Sequence, residues 1–383
     1  MHAHLAHRVL RNARIQAFRG YIPPPNKAFL GGLVLGKAND SLRHRRNAAP
    51  WDGFDPDAHY RRRVRGSFVY GGLVQRHFGH FMSEMVHRIL PARLLDHRGP
   101  WIFVTFEGDR RWVVFEKLPP FARDILEFLE VKAGEFRGIS ADCIVDELFV
   151  VEQGSELRLG PKPGYLDDLH EYTTPRLDAI HGAELRPKKV YVSRAALPGG
   201  TFLGEAYLED QLTGEGFAII RPESLPVLVQ MDIYRKAEVL VFNAGSACHG
   251  VELLGSGALQ RCYLIDRGIQ RKAVESALVP RAREFAVSVG HPYLGTLLTA
   301  RRSRAPVPRL GMNLFDVQAL LAFFRDHGIA RLPSFDRKQY LNAASMHLQG
   351  HIDAARASGL ICDEAEIKSF FTAFEAAAAT QEC

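Results

Sequence analysis

Between Lys188 and Leu254 the chain alternates short apolar runs with longer amphipathic stretches. Three runs rich in β-branched residues predict strands: Val190–Val192, Phe217–Ile220 and Val239–Phe242. The stretches between them predict helices: Glu205–Glu215 and Pro226–Ala237. Strands that alternate with helices are typical of a parallel sheet with crossover helices, and mostly apolar strands indicate that both faces of the sheet are covered.

The third predicted strand runs into a turn of small residues, Asn243-Ala244-Gly245-Ser246-Ala247. A further helix is predicted directly after the turn, at about 249–254. A glycine-bearing turn at the carboxyl end of a parallel strand can donate backbone N–H groups to a phosphate. We therefore expect an anionic ligand at this turn.

The segment from about 67 to 180 alternates in the same way. Its predicted strands are Trp101–Phe106, Trp112–Phe115 and Cys143–Val151, and its predicted helices are Phe121–Leu129 and 166–180. The economical architecture is α/β, with two halves joined near Gly182–Pro187. The cleft between two such halves is the default place for a ligand site.

A helix is predicted to begin just after Gly79. Phe81, Met85 and Ile89 recur at helical spacing and would face a core. Polar residues precede the helix or share another of its faces: His77, His80, Glu84 and His87. A glycine at the entry and polar residues on one face indicate a helix whose first turn lines a cleft. Two His at helical spacing plus a carboxylate can also hold Zn²⁺, an alternative that nothing elsewhere in the sequence completes.

The ends of the chain follow other patterns. Residues 1–66 are basic and broken, and their clusters Arg43–Arg46 and Arg61–Arg65 are most simply solvated loops, with contact to an anionic surface as the alternative. Two stretches, 281–290 and 301–309, are predicted to be connecting segments. Three helices are predicted after Asn313, at 315–327, 337–358 and 363–379.

The 383 residues have a globular balance, with 46% hydrophobic and 24% charged residues. The net charge of +6 and a pI near 9.1 fit anionic partners without choosing among them. Five cysteines form no CxxC pair and no disulfide framework, which indicates a reduced compartment. No run is apolar enough to span a bilayer, and the first residues lack the apolar core of a secretory signal. These patterns predict a soluble, cytoplasmic protein.

Two blocks of this sequence resemble the family 61 glycosyltransferases, a group that includes bacterial proteins of capsular polysaccharide biosynthesis. The first block is His77-Phe78-Gly79-His80-Phe81-Met82-Ser83-Glu84. The second block lies within 188–254 and contains Val190-Tyr191-Val192-Ser193-Arg194, Glu205, Gly216-Phe217, Pro222-Glu223, Gln230, Ala237-Glu238-Val239, Gly245-Ser246-Ala247 and His249. The order and the spacing of these motifs agree with the family.

The resemblance implies a GT-B fold, in which two Rossmann-like domains face a cleft and the second domain holds most of the nucleotide sugar. It also implies inverting transfer with no cofactor and no required metal. The chain would then divide into a basic N-terminal segment with short strands (1–66), an acceptor-side α/β domain (67–185), a donor-binding domain (186–290) and a helical extension (312–383). The expected partners are a nucleotide sugar, a glycan or glycolipid acceptor, peripheral contact with the inner membrane, and another copy of the chain through the C-terminal helices. Nucleic acid is not expected.

The resemblance also implies roles for individual residues. A set of residues in the second block would bind the donor: Ser193, Arg194, Glu223, Asn243, Gly245, Ser246, Ala247 and His249. Arg194 would neutralise the diphosphate and Glu223 would contact the base or the ribose. In the first block we expect Glu84 as the general base and His80 as a substrate or phosphate contact. His77 and Gly79 would line the acceptor side of the cleft.

The sequence departs from the family pattern at several positions. A second arginine, common after Ser193-Arg194, is absent, Gly204 stands where Asn is usual, and Asn243 stands where Glu or His is frequent. Loss of a phosphate cation would weaken donor binding or change the donor, so a catalytically inactive scaffold of polysaccharide assembly is one alternative. Arg194 could instead form a structural ion pair with Glu205 or Glu209. A nucleic-acid-binding protein is a third class, but no helix-turn-helix, RRM or zinc signature supports it.

Overall fold

The structure is a computed structural model that describes residues 3–22, 28–181, 186–301 and 303–382. The strands of its first half are β1 (His7–Ile22), β2 (Ala28–Leu33), β3 (Arg45–Arg46), β4 (Ala49–Pro50), β5 (Asp52–Gly53), β6 (Arg62–Leu73), β7 (Trp101–Val104), β8 (Phe136–Ile139), β9 (Cys143–Val151), β10 (Ser155–Glu156) and β11 (Gly160–Pro161). Those of its second half are β12 (Lys189–Val192), β13 (Ala218–Ile220), β14 (Val239–Asn243), β15 (Leu259–Ile265), β16 (Ala282–Ser288), β17 (Tyr293–Gly295) and β18 (Met312–Asn313). The fold is α/β, as predicted.

The helices pack against the sheets and against one another. They are α1 (Phe78–His80), α2 (Ile89–Leu94), α3 (Pro120–Phe128), α4 (Tyr165–His181), α5 (Glu205–Gly214), α6 (Val227–Lys236), α7 (Arg271–Leu278), α8 (Val317–Asp326), α9 (Arg337–Ala357) and α10 (Glu364–Glu382). Local sequence explains several helix starts, because α3 has proline at its first position and the side chains of Asp316 and Asp336 cap α8 and α9. None of the helices among the described residues combines the length and apolar character that a bilayer crossing requires.

The first sheet has seven strands in the order β5-β2-β1-β9-β6-β7-β8. Strand β1 is antiparallel to both of its neighbours, whereas β9, β6, β7 and β8 run parallel. Residues 1–66 are predicted to form a separate segment, but their strands β1, β2 and β5 belong to this sheet. The first half of β1 is mostly exposed and carries several arginines, so its apolar alternation is too weak to predict a strand.

The second sheet is entirely parallel, in the order β13-β12-β14-β15-β16. This confirms the three strands predicted between 190 and 242. The connecting segment predicted at 281–290 is wrong, because β16 pairs with β15 as the edge strand and is only partly buried. The order of strands reverses between β12 and β14, so the crevice at their carboxyl ends is a topological switch point, where ligands of open α/β sheets bind.

Both faces of the second sheet are buried, but against different partners. Val190 and Val192 of β12 point into a hydrophobic core that also contains the helices and strands of the first sheet. Tyr191, between them, points to the opposite face and into a second core with the C-terminal helices. Because side chains alternate between the two faces of β12, this strand contributes to two cores. The two sheets share the first of these cores.

The C-terminal helices α8, α9 and α10 close the second core. Their positions confirm the helices predicted after Asn313 to within a few residues. The hydroxyl of Tyr340 on α9 is fully buried, accepts from the N–H of Phe315 at 2.8 Å and donates to the carbonyl of Leu203 at 3.2 Å. These bonds fix α9 to the loop that precedes α5.

Two connecting regions differ from the predicted pattern or lie largely outside the described residues. The strand predicted at Trp112–Phe115 is wrong, because these residues form a turn followed by a single 3-10 turn, although Trp112 and Phe115 are both buried. Buried apolar residues need not be in a strand if the turn that carries them packs on the core. The junction predicted at 182–187 lies largely outside the described residues, since 182–185 are not among them.

Candidate active site

A cleft of about 520 Å³ lies at the switch point of the second sheet, against the first half of the chain. The first half contributes Phe78, Pro120, Phe121 and Asp124. The second half contributes Ser193, Arg194, Leu197, Pro222, Glu223, Ser224, Leu225, Pro226, Val227, Gln230, Ser246 and Ala247. Most of the lining is apolar, with a few charged groups, as in sites for small organic ligands. The walls come from two units of the fold, as expected for a site between α/β halves.

The predicted donor-binding residues gather at this crevice, but at different depths. Ser193, Arg194, Glu223, Ser246 and Ala247 line the cleft. Asn243, Gly245 and His249 do not line it. Asn243 is fully buried beneath the turn, and its side-chain amide has no hydrogen-bond partner among the described residues.

Arg194 follows β12 and carries a positive charge without an ion-pair partner among the described residues. Its Nε donates to the carbonyl of Gly200 at 2.6 Å, and its backbone N–H donates to the carboxylate of Glu205 at 2.9 Å. Glu209 instead accepts from the hydroxyl of Ser193 and pairs with Arg221. The guanidinium of Arg194 is therefore in neither of the structural ion pairs that the sequence allows.

Gly245 permits the guanidinium of Arg194 to lie against the turn after β14. A Cβ at position 245 would be 2.1 Å from Nη1 of Arg194, far inside contact distance. The backbone of Gly245 is extended, with φ 176°, so the requirement is for space and not for an unusual conformation. The first intrahelical bond after the turn joins the N–H of Cys248 to the carbonyl of Gly245. The N–H groups of Ser246 and Ala247 come before this bond, at positions where a helix offers no intrahelical acceptor.

The first block contributes a charged cluster centred on Glu84. The side chain of Glu84 is fully buried and accepts from Arg46 through Nε at 2.5 Å and Nη2 at 2.8 Å. It also accepts from Nε2 of His44 at 2.9 Å and from Nδ1 of His80 at 2.7 Å. Its two oxygens thus take part in four hydrogen bonds from three side chains.

This environment holds Glu84 ionised. Burial alone would raise the pKa of Glu84, but the charge of Arg46 and the hydrogen bonds from His44 and His80 hold it well below its usual value. A carboxylate that is so strongly acidic and has no exposed oxygen is a poor general base. The geometry thus argues against our expectation for Glu84 and directs attention to His80.

His80 is the member of the cluster that reaches solvent, with 31% of its side chain exposed. Because Glu84 accepts at Nδ1, the neutral ring carries its proton there and leaves the lone pair of Nε2 free. A carboxylate that fixes the orientation and tautomer of a histidine is a recurring arrangement in catalytic sites. In such a pair, the histidine moves the proton and the carboxylate positions it.

The backbone directly after His80 is irregular. Phe81–Met85 form a single π-helical turn between α1 and α2, in place of the continuous helix that the sequence predicts. Phe81, Met85 and Ile89 are buried, as predicted. Single π-helical turns inside helices occur frequently at functional sites.

Gly79 brings this turn into contact with the second sheet. A Cβ at position 79 would lie 3.1 Å from His249, 3.2 Å from His77 and 3.3 Å from Ser246. The first and second sequence blocks therefore meet directly, with the dyad of His80 and Glu84 on one side and the turn after β14 on the other. His77 accepts from the N–H of His80, and burial, reinforced by the charges of neighbouring groups, lowers the pKa of His77 to about 4.

His87 does not join the other polar residues of its block. Its ring is fully buried, with Nδ1 3.2 Å from the hydroxyl of Tyr165 and Nε2 3.7 Å from the carboxylate of Glu252. The structure thus separates His87 from His80 and Glu84. Within residues 3–22, 28–181, 186–301 and 303–382 no group of three or more His, Cys, Asp or Glu could hold a metal ion.

Sequence reasoning missed three residues of this region. His44 and Arg46 belong to a cluster predicted to be a solvated loop, yet they are largely buried and bind Glu84. Arg267, just beyond β15, lies near Arg194 and also escaped notice. No local pattern identifies these residues, because each finds its partner far along the chain.

Comparison with known proteins agrees with the position of the site. A family model described as Glycosyltransferase 61 matches residues 78–257. This range contains the first sequence block from Phe78 onward, the second block, the whole lining of the cleft and all predicted donor-binding residues. A search of curated proteins found no match. The matched part of the chain is therefore similar to glycosyltransferases of family 61.

Proposed function

We propose that this protein is an inverting glycosyltransferase of the GT-B type, which moves a sugar from a nucleotide-sugar donor to a hydroxyl group of a glycan or glycolipid. The observation that carries the proposal is the close approach of Gly79, next to the His80 that Glu84 orients, to Ser246, which lines the same cleft as Arg194. A base and a cation at one site are the two groups that a single displacement at a sugar carbon needs.

In the proposed reaction His80 acts as the general base. Its Nε2 takes the proton of the acceptor hydroxyl while the oxygen attacks the anomeric carbon of the donor. The bond between that carbon and the phosphate oxygen breaks at the same time, and its electron pair stays on the leaving phosphate. Glu84 keeps the ring of His80 in place and stabilises the imidazolium that forms.

Arg194 and the turn after β14 would receive the leaving phosphate. The guanidinium supplies positive charge, and the N–H groups of Ser246 and Ala247 supply hydrogen bonds. We propose that these groups do the work that a divalent cation does in other transferases, so that the reaction requires no metal. Glu223, exposed beside the apolar part of the cleft, is placed to contact the ribose or the base.

The wider setting is also a proposal. The similarity to family 61 and the basic character of the chain support synthesis of a surface or capsular polysaccharide, in the cytoplasm or at the inner membrane surface. Exposed apolar side chains on the C-terminal helices, Met346 at 69% and Phe371 at 37%, support contact with another copy of the chain.

The first experiment is a thermal-shift screen of the protein against nucleotides and nucleotide sugars, with and without EDTA. A ligand at 100 times its dissociation constant adds about 2.7 kcal/mol of stability, which such a screen detects. A shift that survives EDTA is expected with one class of donor. If no nucleotide shifts the melting temperature, or if the shift needs a metal, the proposal is wrong.

His80→Gln then tests the chemistry. Transfer should fall at least about 100-fold, because general-base catalysis contributes that much, whereas the affinity for the donor should change little. His59→Gln, at an exposed histidine of the same half, is the matched control and should retain full transfer. Tight donor binding by the wild type without transfer to any acceptor would favour the scaffold function instead.

A further inference from the structure

Arg267 is a buried arginine next to the candidate donor site. It follows β15, the neighbour of β14 in the sheet, and only 6% of the residue is exposed. Its Nε donates to the carbonyl of Ala244 at 2.8 Å. Its Nη1 is buried and has no hydrogen-bond partner among the described residues.

The loop at Gly200 brings Arg267 and Arg194 together. The point where a Cβ of Gly200 would lie is 3.0 Å from Nη1 of Arg267 and 3.2 Å from Nη2 of Arg194. Arg194 in turn lines the cleft and lies against Gly245. The two guanidinium groups therefore converge at the carboxyl ends of three adjacent strands.

Two positive charges held close together and away from water are unfavourable unless a negative charge compensates them. Burial lowers the pKa of Arg267 to about 10, and the charge of Arg194 contributes to the decrease. Glu205 and Asp266 offset part of this effect, but neither forms an ion pair with Arg267 among the described residues. Glu205 is engaged by the hydroxyls of Tyr191 and Thr201. A buried cation with an unused N–H group indicates a place for an anion.

We propose that Arg267 and Arg194 together bind the two phosphate groups of a nucleoside diphosphate, so that Arg267 supplies the second cation that the sequence lacks after Ser193-Arg194. Guanidinium groups bind phosphate oxygens in a planar, two-pronged geometry, and two of them match two phosphates. The donor is then a sugar linked to a nucleoside diphosphate and not to a nucleoside monophosphate. This inference rests on the proposed function. Arg267 lies beyond the residues that the family model matches.

Calorimetric titration of Arg267→Met and Arg267→Lys tests the proposal, with nucleoside diphosphates, the matching monophosphates and inorganic pyrophosphate as probes. Arg267→Met should weaken binding of diphosphates and pyrophosphate about 10- to 100-fold, the range for a lost charge-assisted hydrogen bond. Monophosphate affinity should change by less than about threefold, within the scatter of context-dependent contacts. Arg267→Lys, which keeps the charge but loses the planar geometry, should fall between the two.

Thermal unfolding without ligand separates ligand binding from a structural role. Because Arg267→Met removes an uncompensated buried charge, its melting temperature should equal or exceed that of the wild type. Arg271→Met, at the neighbouring helix, is the matched control: Arg271 is exposed and pairs with Glu275 at 2.7 Å, so its loss should leave diphosphate affinity unchanged.

Several results would overturn the inference. If the wild type binds diphosphates and Arg267→Met binds them within about twofold, a change too small for a lost charged contact, only this inference fails. It also fails if monophosphate and diphosphate affinities fall together, or if Arg267→Met melts lower and loses every ligand. If the wild type binds no nucleotide and no pyrophosphate, the proposed function fails with it.

Discussion

At the scale of single residues, the candidate donor site depends on the close approach of Gly245 and Arg194. The guanidinium lies where any larger residue at 245 would place its Cβ. Because the two residues follow β12 and β14, this approach joins the carboxyl ends of the two strands that flank the switch point. A site of this kind is sensitive to a single methyl group.

Gly245→Ala should therefore act through Arg194. The added methyl displaces the guanidinium, so donor affinity should fall about as much as in Arg194→Ala, by about 10- to 100-fold, while the melting temperature of Arg194→Ala stays near that of the wild type. The double variant should bind no more weakly than Arg194→Ala, since both changes remove one interaction. Isothermal titration with the donor found in the screen measures all three affinities.

Gly214→Ala is the matched control for this cycle. A Cβ at Gly214 would meet nothing within 4 Å, so the change should leave donor affinity and stability intact. If the effects of Gly245→Ala and Arg194→Ala add in the double variant, the two residues act independently and the proposed coupling is wrong.

The sequence indicated many of these residues but not their roles. The order of motifs was enough to place Ser193, Arg194 and Ser246 at one crevice, because strand ends of a parallel sheet meet at one edge. It was not enough to distinguish His80 from Glu84 as the base. That distinction depends on Arg46 and His44, whose burial against Glu84 is a long-range fact that no spacing within the block encodes.

At the scale of elements, the π-helical turn at Phe81–Met85 and the hairpin of β3 and β4 form one functional unit. The turn carries Glu84 and directly follows His80, and the hairpin carries Arg46. Without the hairpin, Glu84 would be a buried carboxylate held only by histidines. The N-terminal segment therefore contributes to the site even though the similarity to family 61 begins after it.

Glu84→Gln should destabilise the protein at neutral pH by about 3–5 kcal/mol, because it leaves the charge of Arg46 buried without a partner. The depressed pKa of Glu84 contributes stability that is present above its unfolded pKa of about 4.3 and is lost as pH falls through the lower folded value. The stability difference between wild type and variant should therefore be constant from pH 8 to about 5 and then narrow. Urea unfolding over this range measures it.

An exposed carboxylate supplies the comparison. Glu116→Gln, on the surface of the same half, should show no difference from the wild type at any pH in this range. A Glu84→Gln difference that stays constant below pH 5, or is absent at pH 7, would contradict the assignment of Glu84 as an ionised anchor.

The sequence predicts a strand correctly where both faces of the strand are apolar, and a helix where one stripe of the helix is apolar. The predicted ranges for β9, α3 and α5 agree with the structure to within a residue or two. The sequence did not predict β1 and β16, because many of their residues are exposed and show no clear alternation of apolar and polar positions. Pairing with a neighbouring strand stabilises these two strands more than their local composition does.

At the scale of the whole molecule, one hydrophobic core joins the two sheets, a second core lies under the C-terminal helices, and buried histidines lie beside both. Burial lowers the pKa of His87, His291 and His351 to about 4 each. Their rings are nearly inaccessible, at 0%, 7% and 8% exposure. In the unfolded chain the same side chains bind protons below about pH 6.5.

The protein should therefore lose stability as pH falls from about 6.5 to 4. The unfolded state binds protons in this window that the folded state cannot, so each buried histidine contributes up to about 1.4 kcal/mol per pH unit. His351→Gln should remove the contribution of about one proton from the slope of the unfolding free energy against pH. Urea unfolding at half-unit intervals from pH 7 to 5 measures this slope.

His59→Gln replaces an exposed histidine and should leave the slope as in the wild type. If His351→Gln also leaves it unchanged, or if stability does not fall below pH 6.5, the buried histidines do not control acid sensitivity.

The shared core has a consequence for how a ligand is selected. Two domains that meet through a small polar interface move freely, whereas units joined by a continuous apolar core do not. Phe78 and Val227 lie on opposite walls of the cleft. Val227 belongs to that core and Phe78 packs against it. We expect the width of the cleft to be set before the ligand arrives, so that binding loses little conformational entropy to closure. Recognition is then a test of fit to a preorganised shape, and we expect a ligand of the wrong shape to bind weakly.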